Sequence, residues 1–208
     1  MTVELIDKMG TDLSVVNAAR VSYSKTKEVF DLKDEKLIKY LAEHEHWSPF
    51  AHAFMQLRIK APIFVARQLV KHQVGLVWNE VSRRYVDYKP ELFQPDTWRG
   101  RPQNSKQGSD GEVKLDQTTE YFLKSTMQSC LTLYNTLIDK GVAPEQARMV
   151  LPQSMMTEWI WSGSVYAFAR VCNLRCKPDT QLETQDVANK IDKLAGEAFP
   201  HSWQYLRS

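Results

Sequence analysis

Phe54-Met55-Gln56-Leu57-Arg58-Ile59-Lys60-Ala61-Pro62-Ile63-Phe64-Val65-Ala66-Arg67-Gln68 changes its periodicity midway. At its start, Phe54, Gln56 and Arg58 alternate with Met55, Leu57 and Ile59, the period of two of a strand with unlike faces. Beyond Ala61 the apolar residues Ile63, Phe64, Val65, Ala66, Leu69 and Val70 fall in helical array, with Arg67, Gln68 and Lys71 on the polar side. Pro62 suits the first helical position, where its fixed φ is already correct and no amide hydrogen is required. This predicts a strand passing directly into a helix that ends near His72.

Working outward, residues 3–7 alternate as a short strand, Asp12 is placed to cap a helix through Arg20, and Leu37, Ile38 and Leu41 give residues 34–44 an apolar helical stripe. After Gly75 comes a polar cluster: Asn79, Glu80, Ser82, Arg83, Arg84 and Tyr85. Residues 89–111, rich in Pro, Gly, Ser, Asn and Gln, read as a long loop. A long helix is expected over residues 115–140, closed by Gly141, then a shorter one from Pro144 to about Leu151. A strand over 155–161 and helices over 165–174 and 183–198 complete an α+β chain, a single domain over residues 1–208.

With 208 residues, 43% of them hydrophobic, the chain can bury a proper core. A net charge of +2 does not mark a general nucleic-acid binder. No stretch has the roughly 20 apolar residues of a membrane span, and the acidic start lacks a signal-peptide pattern. We therefore expect a soluble cytoplasmic protein with neither nucleic acid nor membrane as partner. Positive charge is local: Lys71, Arg83, Arg84, Arg99 and Arg101 fall close together in sequence and suit an anionic ligand. No Walker loop or GxGxxG is present.

The three cysteines do not suggest a disulfide framework. Cys130, beside Leu131 and Leu133 in the long helix, reads as core packing rather than a nucleophile. Cys172 and Cys176 lack the second ligand pair of a common zinc site, so no metal is expected. His44, His46 and His52 lack the carboxylate of an HExxH pattern, and ring stacking or hydrogen bonding suits them better.

Five segments in order resemble the flavin-dependent thymidylate synthase family: Asp12-Leu13-Ser14 through Ala18-Ala19-Arg20-Val21-Ser22; His46-x-x-Pro49-Phe50-x-His52; Ala61 to Gln68 with Asn79-Glu80-x-Ser82-x-Arg84-Tyr85; Ala147-Arg148-Met149-Val150-Leu151-Pro152; and Asn173-Leu174-Arg175. The resemblance implies that family's fold, with a mixed or antiparallel sheet packed by helices, in a homotetramer with active sites at subunit interfaces. It implies methylation of dUMP to dTMP, with FAD as cofactor and NADPH and methylenetetrahydrofolate as co-substrates. It assigns Arg175 as catalytic, stabilising the N3-deprotonated uracil ring. Gln68, Lys71, Glu80, Val81, Ser82, Arg83, Arg84, Arg148 and Arg175 correspond to nucleotide-binding positions. Ser22, His46, Ser48, Lys71, His72, Gln73, Val74, Glu80, Ser164, Tyr166 and Arg170 correspond to flavin-binding positions.

The chain departs from the family pattern in three places. The family's Arg-His-Arg, seven residues and Ser become Lys71-His72-Gln73, eight residues and Ser82; Gly75 is the residue suited to absorb the extra one. Arg170 stands where an asparagine is common, and Cys176-Lys177-Pro178-Asp179 lacks a histidine often found after the catalytic arginine. These departures keep two alternatives open: a variant methylase or hydroxymethylase acting on dCMP or dUMP, and a non-catalytic nucleotide-binding relative.

Overall fold

A computed structural model describes residues 1–86, 88–103 and 107–207. Its main sheet has four strands in the order β1-β2-β6-β3, all pairs antiparallel: β1 Thr2–Met9, β2 Phe54–Pro62, β3 Leu76–Glu80 and β6 Met156–Ser164. On β2 the alternation holds. Met55, Leu57, Ile59 and Ala61 are buried, whereas Phe54, Gln56 and Arg58 are exposed. One sheet face is therefore covered and the other open, as antiparallel sheets permit.

The covering helices are α1 Asp12–Arg20, α2 Leu32–Glu43, α3 Ile63–Leu69, α6 Val165–Arg175, α7 Leu182–Ala198 and α8 Pro200–Leu206. Two strands turn into helices without a loop. Pro62 is the last residue of β2 and Ser164 the last of β6, and both stand before their helices with almost identical backbone angles, −69°/154° and −72°/155°. Pro62 thus precedes the helix rather than opening it. Ser164 caps α6 by accepting the Ala167 amide at 3.2 Å. Beneath them Leu57, Ile59, Leu69, Trp159, Trp161 and Phe168 form the centre of the core.

Several boundaries differ from the sequence expectation. Helix α2 starts at Leu32 because Asp31 caps it, accepting from the amides of Lys33 and Asp34. Asp34, three residues inside, is buried and pairs with Arg20 at 2.7 Å and Lys27 at 2.6 Å. Strand β3 was hidden in the polar cluster after Gly75. It is an edge strand, and its Trp78 stacks on Trp159 with ring centroids 4.3 Å apart. Gly163 permits the approach: a Cβ there would lie 2.5 Å from the Gly75 carbonyl oxygen. Gly75 itself takes φ +76°, the left-handed region that glycine enters without strain.

Residues 89–111 are not wholly loop. Leu92 bridges to Met155, and β4 Trp98–Gly100 pairs with β5 Asp110–Val113 as a two-stranded ribbon. Arg99 ties that ribbon to α7 through Glu183 at 2.5 Å. The long helix α4 spans Gln117–Asp139, with α5 Pro144–Ala147 after it. Tyr134 is its one buried residue, and Tyr121 and Phe122 are 70% and 63% exposed. Cys130 is only half-buried, so core packing describes it incompletely. Helix α8 escaped the sequence reading. Asp12 accepts the backbone amides of His201 at 3.1 Å and Ser202 at 2.8 Å, joining the first helix to the last. Among the described residues no helix is long and apolar enough to cross a membrane.

Candidate active site

Helices α3 and α6 bring their C-terminal ends together. Arg175, last in α6, donates from Nε to Nε2 of His72, three residues beyond α3, at 3.0 Å. This bond requires His72 to be unprotonated at Nε2. Burial pulls the His72 pKa below the ordinary histidine value, and the charges of Arg175 and Arg170 pull it further. Burial also lowers Arg175, which stays charged because guanidinium cannot be deprotonated under ordinary conditions. The two terminal nitrogens of Arg175 make no hydrogen bond among the described residues, so they can meet a ligand.

A cavity of about 670 Å³, within the range of small-molecule sites, is lined by Val74, two residues past His72, and by Arg170, whose charge acts on His72; neither Arg175 nor His72 lines it. Trp47, Phe54, Tyr166 and Val77 give it apolar and aromatic walls, and Ser164 and Arg170 add polar groups. Four of the expected flavin residues line it: Val74, Ser164, Tyr166 and Arg170. Trp47, 6.1 Å from Tyr166 between ring centroids, brings the His46–Ser48 segment to the same wall. His46 and Ser48 are exposed there, and Ser22 is exposed in the turn after α1. His44 stacks on Tyr40 at 4.0 Å, in line with its expected ring-stacking role.

The other expected residues do not line this cavity. Glu80 on β3 accepts from Thr157 Oγ1 at 2.7 Å and Trp78 Nε1 at 3.2 Å, which fixes its carboxylate. Ser82 accepts from Arg84 through Nε at 3.1 Å, while the Arg84 guanidinium lies 4.9 Å from the Tyr85 ring centre. Arg83 is turned inward: it is buried, donates to the Tyr88 carbonyl and stacks over that ring at 4.2 Å. Val81, Lys71 and Gln73 are exposed. Arg148 is exposed too, and donates to the Glu145 carbonyl at 3.2 Å. Gln68 carries a buried Oε1 that has no hydrogen-bond partner among the described residues. Leaving a polar atom so costs about 1–3 kcal/mol unless a ligand engages it.

Sequence reasoning missed Trp47, Thr157 and Trp78. Thr157 could have been found by running the period of two backward from Trp161 and Trp159, since it lies on their inward face. The positions of Trp47 and Trp78 depend on non-local packing.

The described features are thus a cavity with aromatic walls, a hydrogen-bonded arginine–histidine pair and several exposed cationic side chains. The family model described as thymidylate synthase complementing protein matches residues 4–201. A flavin-dependent thymidylate synthase of Thermus thermophilus is 40% identical over 202 residues, covering 97% of this chain and 73% of that protein. One from Thermosipho melanesiensis is 38% identical, covering 96% and 87%. The crystal structure of the UMP/dUMP methylase PolB from Streptomyces cacaoi, bound with 5-Br dUMP, aligns with a TM-score of 0.87 and 30% identity over 98% of this chain and 93% of that one. This chain belongs to the thymidylate synthase complementing protein family, that of the flavin-dependent thymidylate synthases.

Proposed function

We propose that the chain methylates C5 of dUMP to give dTMP, with FAD as cofactor and methylenetetrahydrofolate and NADPH as co-substrates, in the cytoplasm. The observation that carries this is the Arg175–His72 pair together with an aromatic cavity in a chain of this family. When bound, the flavin supplies the hydride. Trp47, Tyr166 and Val74 would flank its ring, with Ser164 and Arg170 as polar contacts; the cavity's size and aromatic walls fit such a group.

Arg175 works on the uracil. His72 accepts its Nε–H and so orients the guanidinium, leaving the terminal nitrogens to hold negative charge on the ring oxygens. That charge raises electron density at C5. Gln68, whose Oε1 has no partner among the described residues, is suited to the ring's edge, while Lys71, Arg84 and Arg148 would meet the phosphate. Glu80 and Ser82, each held by a neighbour, complete the wall beside Val81. His46, Ser48, Ser22 and Gln73 would contribute to flavin binding from the rim. Arg83 would act indirectly, by holding Tyr88 and the loop that carries Arg84.

The nucleotide group is open to solvent, and α4 leaves Tyr121 and Phe122 uncovered. Both facts favour a homotetramer in which another copy completes each site. The likeness to PolB favours UMP as a second substrate. Anaerobic incubation of the flavoprotein with NADPH, methylenetetrahydrofolate and dUMP, UMP or dCMP, read by product mass, tests the proposal. One added methyl on dUMP is expected; a hydroxymethyl product, reaction with dCMP alone, or no product overturns it.

A further inference from the structure

Cys172 and Cys176 stand one turn apart at the end of α6, and α7 brings Asp192 to them. One ligand atom from each of the three lies within 4.8 Å of the others. This third group is the one that the sequence spacing does not reveal. We propose that Cys172, Cys176 and Asp192 bind one thiophilic divalent cation of the zinc class, with water as the fourth ligand.

Three features support the site. First, zinc–sulfur bonds of about 2.3 Å in a tetrahedron place two sulfurs roughly 3.8 Å apart, so closure needs a shift of only about 1 Å. Second, the carboxylate is already oriented. Asp192 Oδ1 accepts from Trp203 Nε1 at 2.9 Å and from Arg207 Nε at 2.6 Å, which fixes the carboxylate beside the two cysteines. Such support from outside the ligand shell is the usual companion of a metal-bound group. Third, the charges balance. Two thiolates and Asp192, set against Arg207, leave a double negative charge that one dication neutralises.

The inner ligand is dry and the outer one accessible: Cys172 is buried, while Cys176 is half-exposed. The Cys172 thiol now contacts the Ala188 carbonyl at 3.6 Å and gives up that contact on binding. Binding breaks two S–H bonds, forms two sulfur–metal bonds and releases two protons; nothing is oxidised or reduced. Because Arg175 lies between the two cysteines, the ion would tie its helical turn to α7.

The test is a titration of tag-free flavoprotein, reduced and kept anaerobic, with Co²⁺ alone. Difference spectra should saturate at one ion per chain, with thiolate-to-cobalt charge transfer in the near ultraviolet, intense visible bands of a tetrahedral centre, and release of about two protons per ion. Cys176→Ser should lose much of the charge transfer and bind about tenfold more weakly or worse, whereas Cys130→Ser should titrate as the unmodified protein does. Absent charge transfer, weak octahedral bands alone, or an unchanged Cys176→Ser titration overturns the site. A second measurement needs no variant. One equivalent of Zn²⁺ should slow alkylation of Cys176, read by mass spectrometry, about tenfold while leaving Cys130 unchanged; equal rates at Cys176 with and without Zn²⁺ also overturn it.

Discussion

The two strand-to-helix units, β2–α3 and β6–α6, are built alike and used differently. Their strands pair antiparallel from Phe54↔Ser164 to Pro62↔Met156, so each helix leaves from the opposite end of one ladder. Both turns share one backbone conformation, yet only Ser164 adds a side-chain cap. Helix α6 buries Val165, Ala167, Phe168, Ala169, Val171 and Cys172; the shorter α3 buries Val65, Ala66 and Leu69. The deeply packed unit ends in Arg175. The shallower one runs into Lys71-His72-Gln73-Val74, three of which are exposed. Packing depth thus separates a rigid cation from an adaptable rim.

The largest expected effect comes from removing the product of the deep unit. Arg175→Ala should lower dTMP formation by roughly 10²–10³-fold or more while the circular dichroism spectrum stays native, because a preorganised charge is lost from a partly exposed position. Near-normal turnover would mean that the rigid helix end is not the catalytic one. Next, Gly163→Ala attacks the join between β6 and β3. Its new methyl meets both the Gly75 carbonyl oxygen and Leu76 Cδ2 at 2.5 Å, of which the backbone atom cannot simply rotate away, and chemical denaturation should show a loss of about 1–3 kcal/mol. An unchanged midpoint would show that β3 is free to shift outward.

Acidification sharpens the comparison at the point where the two helix ends meet. His72 has a folded pKa below its unfolded value, so the unfolded chain binds more protons in the interval between them. Stability from this residue is full above the unfolded value, near pH 6.5, and declines as pH falls toward the lowered folded pKa. Protonation there also ends the acceptor role toward Arg175. Turnover should hold through the ordinary histidine range and drop only as pH falls through the lowered folded pKa, and His72 ring resonances followed by NMR should titrate with it. An ordinary or raised His72 pKa contradicts this. The smallest effect belongs to the approach to His46. Glu45, two residues past the end of α2, takes φ +56°, a conformation that glycine adopts without strain. Glu45→Gly should raise the unfolding free energy by about 1 kcal/mol or less, and a clear loss would show that the Glu45 side chain matters more than its backbone.

The central strand and helix were legible because one face of each is buried, which imposes a period on the sequence. Strand β3 was not, because an edge strand with Asn79 and Glu80 exposed has no apolar alternation to read; Trp78 anchors it through a contact with residue 159. The β4–β5 ribbon was hidden for a related reason, since β5 is exposed throughout. In the site, Arg175, His72, Ser164 and Tyr166 came from the family resemblance; Arg175 is hydrogen-bonded to His72, and Ser164 and Tyr166 line one cavity. The inward turn of Arg83 depends on Tyr88, and the third group beside Cys172 and Cys176 comes from another helix. Sequence spacing carries neither.

The bond from Asp12 to the start of α8 also sets an order of events. Its donors at His201 and Ser202 lie 189 and 190 positions away, and Lys190 reaches back to the Met1 carbonyl across 189. A chain emerging from the ribosome at its N-terminus first makes that carboxylate long before it makes the groups that receive it. The first helix gains this partner only after the sheet and the intervening helices have been synthesised. Contacts of such high sequence separation slow folding through the entropy of closing the intervening chain. Closure of the fold between its first and last helices is therefore a late step, one that waits on the synthesis of α8.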